Sequence, residues 1–171
     1  NWRHFSLEQQ NTKEGPEWKV WEQPVDVTRS MLAARACEAA RLQGNALFEA
    51  FHIALLRARH EDRSDIRQRA VLFEVAGSVG LELERFGTDL DNESLKDIVR
   101  DDHTEAVERY GIFGTPTFVF PNGGAAYLKM VKAPDGQATR TWETVVDMMR
   151  NRLYVGEVKR PQPPWPKGSQ A

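Results

Sequence analysis

Gly111-Ile112-Phe113-Gly114-Thr115-Pro116-Thr117-Phe118-Val119-Phe120-Pro121 is the stretch from which the fold can be read. A helical pattern ends at Tyr110, and Gly111 suits the residue just past a helix C-terminus. Gly114 adds a permissive backbone position. Thr115-Pro116 then opens Thr117–Phe120, a β-branched and aromatic run that reads as a buried strand. A proline cannot donate a ladder hydrogen bond, so it belongs at strand starts, edges or bulges. An X-Pro bond in a tight turn is also where a cis peptide belongs. On these residues alone, a plain helix-to-strand connection and a loop that carries a site stay open side by side.

Outward toward the C-terminus, Pro121-Asn122-Gly123-Gly124 is a hairpin turn. Residues 125–131 return as an antiparallel strand, with Tyr127, Lys129 and Val131 on one face and Leu128 and Met130 on the other. Pro134-Asp135-Gly136 is another turn, after which Thr141 caps a helix carrying Trp142, Val145, Val146, Met149 and Leu153. Residues 157–171 are proline-rich and read as an extended tail, with Trp165 as its one large apolar side chain.

Outward toward the N-terminus, residues 1–9 alternate Trp2 and His4 against Arg3 and Phe5, which predicts a short strand. Residues 10–28 read as a loop broken by Gly15-Pro16 and Pro24. Its Trp18 and Trp21 need burial or a ligand. They either pin the loop to the core or form an apolar rim beside a substrate groove. From Thr28 the period turns helical. Met31, Ala34 and Cys37 follow at three-residue steps, and Cys37 reads as an inert buried hydrophobe.

Gly44 closes that helix, and Asn45 caps the next, which carries Leu47, Phe48, Phe51, Ala54, Leu55 and Ala58. His52 and His60 share it but stand about 12 Å apart along the axis, too far to bind one metal as a pair. His52 reads as a packed or groove-rim histidine. A third helix spans Ile66 to Val79 with Ser64 or Asp65 as cap, a fourth spans Leu81 to Leu90, and a fifth runs from Asn92 to Tyr110. His103 lies among Asp101, Asp102, Glu105 and Glu108, which reads as a solvated acidic face rather than a cation site.

The chain has 171 residues, 40% hydrophobic and 28% charged, which fits one globular domain with an insertion. A net charge of −2 with interspersed signs gives no nucleic-acid footprint. No apolar run is long enough to span a bilayer. A single cysteine excludes an internal disulfide framework and suits a reducing, cytoplasmic setting.

Gly111 to Phe120 resembles the cis-proline segment of the thioredoxin superfamily, in the version used by DsbA-like proteins of the FrnE and 2-hydroxychromene-2-carboxylate isomerase neighbourhood. Trp2-x-x-Phe5-x-Leu7-Glu8-Gln9 resembles the second core strand of that family. The resemblance implies an α/β, thioredoxin-like core with an inserted all-helical domain. Residues 1–28 and 104–156 would form the core, 29–103 the helical insertion, and 157–171 the tail. It also implies that Gly114, Thr115 and Pro116 bind substrate, with Trp18, Trp21 and His52 as candidate groove rim.

The family's Cys-x-x-C is not among these residues. The expectation is therefore that the N-terminal βα unit, with the redox dithiol, lies upstream of residue 1, that this chain holds no catalytic residue or metal, and that it does not complete the core alone. Thiol–disulfide exchange in the intact protein is the first functional expectation. Its substrate would be a protein or small molecule bearing a thiol or disulfide, with no nucleic acid or membrane partner and a homodimer left open. A glutathione-dependent isomerase or transferase of the same fold, with glutathione as cofactor, is the second. A non-catalytic peptide-binding module is the third.

Overall fold

The computed structural model describes residues 1–159. Two compact units divide the chain, with the break between Arg109 and Tyr110.

The first unit is helical. After a single-turn helix α1 (Leu7–Gln10) come α2 (Met31–Leu42), α3 (Asn45–His60), α4 (Arg69–Ser78), α5 (Leu83–Leu90) and α6 (Leu95–Tyr110). Ala33, Ala36, Ala39 and Ala40 of α2 are buried, and their small side chains let α3 and α5 approach its backbone. α3 answers with Phe48, Phe51, Leu55 and Ala58, an apolar stripe at helical spacing. Leu72, Val75 and Ala76 of α4 and Phe86 and Leu90 of α5 complete the core. Phe51 and Phe86 meet with ring centroids 5.6 Å apart, and Phe73 meets Phe86 edge-on at 5.3 Å. A second cluster joins Val20, Met31 and Val99, against which Trp18 and Trp21 pack.

Several boundaries differ from the sequence pattern. Gly44, at φ +125°, takes the N-cap position expected of Asn45, because the chain must reverse between α2 and α3. α4 starts at Arg69 rather than near Ser64 or Asp65. The Asp65 carboxylate instead accepts from the backbone and guanidinium of Arg67 and holds a turn. α5 begins at Leu83, where Glu82 caps it by accepting from the amides of Glu84 and Arg85.

Residues 1–6 form no strand, contrary to the alternation reading. The amide of His4 donates to Asp102 Oδ2 at 2.9 Å and that of Ser6 to His103 Nδ1 at 3.3 Å. Side chains of α6 thus take the bonds a sheet ladder would need. Leu7–Gln10 then turn into α1, capped by Ser6 Oγ accepting from Gln9 N.

The second unit holds a hairpin and a helix. β1 (Thr117–Val119) and β2 (Ala125–Tyr127) are antiparallel, with Thr117 opposite Tyr127, Phe118 opposite Ala126 and Val119 opposite Ala125. The turn is closed by Phe120 N donating to Gly124 O at 2.8 Å, with Gly123 at φ +83°. β2 stops at Tyr127 instead of reaching Val131. Leu128 N still donates to Pro116 O, but the chain before Pro116 turns away and offers no further ladder. α7 (Ala138–Asn151) starts three residues before the expected cap Thr141, places Trp142 against Phe118 at 5.3 Å and buries Met149. Most of the proline-rich tail, residues 160–171 with Trp165, lies outside the described residues.

Candidate functional site

The loop between α6 and β1 is set from both sides. Gly111, at φ +62°, ends the helix in a conformation that favours glycine. Phe113 is 64% exposed and lies with its ring 5.2 Å from that of Tyr127. A Cβ on Gly114 would stand 3.3 Å from Tyr127 Cε2, so the missing side chain is what lets the tyrosine ring close over the loop. The Thr115–Pro116 peptide is cis. Thr117 Oγ1 donates to Gly114 O at 2.7 Å, and Pro116 O accepts from Leu128 N at 3.1 Å. Thr115 sits between these two anchors and is exposed. Among the described residues, neither its amide nor its carbonyl has a hydrogen-bond partner.

Trp18, Trp21 and His52 all belong to the first unit. Gln9 fastens the tryptophan loop: its Nε2 donates to Trp18 O at 3.1 Å and its Oε1 accepts from Val20 N at 2.8 Å. Trp21 packs against His103 at 5.7 Å. His52 lies between Trp2, at 4.4 Å, and Phe48, at 5.7 Å, with Nδ1 3.8 Å from Cys37 Sγ. Burial lowers the His52 pKa, and the nearby His4 and Arg41 lower it further. Burial also pushes the Cys37 thiol up to about 12, with the Glu38 charge adding to the rise.

The reading of Asp102 and His103 as a solvated acidic face is corrected: both are buried. Asp102 accepts from Arg3 Nη1 at 2.6 Å as well as from His4 N. Buried Glu38 accepts from His4 Nε2 at 2.8 Å and from Arg41 Nε at 3.1 Å. This polar network was not predicted, although Leu95, Val99, Asp102, His103 and Ala106 share helical spacing, which was signal enough to place Asp102 and His103 on the inner face. Among the described residues, no group of His, Cys, Asp or Glu side chains could hold a metal ion, and no helix is long and apolar enough to cross a membrane.

Compared with known families, residues 2–141 match the model of the DSBA-like thioredoxin domain. No curated protein matches the chain.

Proposed function

This chain belongs to the DSBA-like thioredoxin domain family, an α/β fold with a helical insertion, and we propose that it supplies the substrate loop of a thiol–disulfide oxidoreductase. The observation that carries the proposal is Thr115, exposed beside Pro116 with both main-chain groups free among the described residues. A free N–H and C=O on an anchored loop can pair with an extended substrate segment as a short added strand. The Tyr127 ring over Gly114 and the Thr117 hydroxyl on Gly114 O hold the loop still while that pairing forms. Pro116, next to Thr115, would place an apolar ring beside the sulfurs that exchange.

Cys37 does not serve as the exchanging thiol, because exchange needs an accessible thiolate and this thiol is buried and held protonated. The exchanging dithiol is assigned outside residues 1–171, and it is the only redox group the reading requires. Attack of one thiolate on the substrate disulfide forms a mixed disulfide and frees one substrate thiolate. Attack by the second cysteine frees the other, leaving the enzyme dithiol oxidised and the substrate reduced. We place the protein in the cytoplasm, a reducing compartment that suits the free thiol of Cys37. Its partner is a protein or small molecule bearing a thiol or disulfide.

The test is insulin reduction and mixed-disulfide trapping by the intact protein carrying its dithiol. Thr115→Ala, which keeps the main chain, is expected to retain the rate, whereas Pro116→Ala is expected to slow it about tenfold or more. Absence of both activities would overturn the oxidoreductase reading. An unchanged rate in Pro116→Ala would remove the loop from it.

A further inference from the structure

Residues 2–6 are fastened to three helices of the first unit. The Trp2 ring packs on His52 of α3, and Trp2 O accepts from Arg41 Nη2 of α2 at 3.3 Å. Arg3 pairs with Asp102 of α6, and His4 bridges Asp102 and Glu38 of α2. Phe5 packs on His103 at 4.8 Å, and the amide of buried Ser6 donates to its Nδ1. The chain has four histidines, of which His4, His52 and His103 gather at this segment while His60 is exposed.

One of these contacts requires a neutral ring, and burial disfavours the charge on a second. His103 accepts at Nδ1, so its proton sits on Nε2. A second proton would set an N–H against the N–H of Ser6 and leave a buried backbone donor unpaired. His52 is enclosed by Trp2, Phe48 and Cys37, with His4 and Arg41 as its charged neighbours, and Glu38 is already engaged by both of those. The other charges facing the segment are Arg3, Asp102 and Glu105.

We infer that residues 2–6 are an acid-released strap, seated on α2, α3 and α6 at neutral pH and let go as His103 and His52 take up protons. Burial lowers the pKa of both rings in the seated state. A released ring returns to an ordinary value near ~6.5. The seated strap is therefore favoured fully above about pH 6.5 and progressively less as pH falls below it. Glu38 acts the other way. Burial raises its pKa, but the hydrogen bond and charge of His4 and the charge of Arg41 prevail, so it stays ionised through this window and holds His4. One pH unit below 6.5, one sensor favours opening by up to about tenfold, and two sensors by up to about a hundredfold.

Hydrogen exchange of the His4 and Ser6 amides, read by NMR on the intact protein at pH 7.5 and 5.5 and corrected for intrinsic rates, tests this. Their protection is expected to fall about tenfold or more relative to the Phe51 amide. The fall should track the titration midpoints of the His103 and His52 ring protons. The double variant His103→Asn, His52→Asn, whose amide oxygens accept at any pH, is expected to flatten the response, and His60→Asn to preserve it. Unchanged protection in the native chain, a fall shared equally by Phe51, or midpoints that miss the transition would each overturn the strap. The native-chain measurements decide even where the double variant fails to fold.

Discussion

Cys37 Sγ lies 3.8 Å from His52 Nδ1, a thiol and a base side by side in an arrangement that favours neither charge. Burial raises the thiol and lowers the imidazole, so the thiolate–imidazolium pair that activates a cysteine is disfavoured from both ends. Alkylation by iodoacetamide is therefore expected to rise about tenfold per pH unit up to about pH 10 without levelling. A plateau below about pH 7.5 would show an activated thiol and reopen Cys37 as a redox residue.

The two bonds to Asp102 differ in worth. The Arg3 side chain is 65% exposed, so water screens its pair with Asp102, and Arg3→Ala is expected to cost less than about 1 kcal/mol. Asp102→Ala also strips the acceptor from the His4 amide and is expected to cost about 2 kcal/mol. Asp102→Asn, which restores an acceptor, should fall between them. Urea denaturation ranks the three variants. Equal costs for Arg3→Ala and Asp102→Ala would mean that the ion pair carries the contact.

Which features were legible in the sequence follows from where their partners lie. α3 could be read from Phe48, Phe51, Leu55 and Ala58 because one helix buries one stripe. The turn at Gly114-Thr115-Pro116 could be read from its own residues. The segment around His4 could not, because its bonds go to a side chain 98 positions away, and alternation looks the same whether the neighbour is a strand or a helix. Asp102 and His103 were misread for a different reason: the density of charge around them outweighed a helical spacing that pointed inward.

Gly111 and Gly114 are glycines for different reasons. At Gly111 the backbone is left-handed and the space beside it open, so Gly111→Ala is expected to cost about 1–2 kcal/mol wherever it is made. At Gly114 the obstacle is the Tyr127 ring 3.3 Å away, which is partly exposed and able to yield, so Gly114→Ala is expected to cost less than about 1 kcal/mol and to shift the ring. In a Tyr127→Ala background the Gly114→Ala cost should vanish and the Gly111→Ala cost should remain. Thermal unfolding of the three single and two double variants measures the coupling. An undiminished Gly114→Ala cost would show that the tyrosine is not the constraint.

Glu38 sets the acid limit of the network it anchors. Its carboxylate is buried, which favours the proton, yet His4 and Arg41 hold it below its ordinary value of 4.5. A depressed carboxylate contributes stability that is complete above the unfolded pKa and lost as pH falls through the folded one. Glu38→Gln is thus expected to be less stable than the native chain by about 2 kcal/mol at pH 7. That gap should hold down to about pH 5 and close below about pH 4.5. Urea denaturation of both proteins from pH 7 to pH 3.5 measures it, with the His52 and His103 terms common to the two. A gap that widened on acidification would mean that burial outweighs the two cations and that Glu38 is held above its ordinary range.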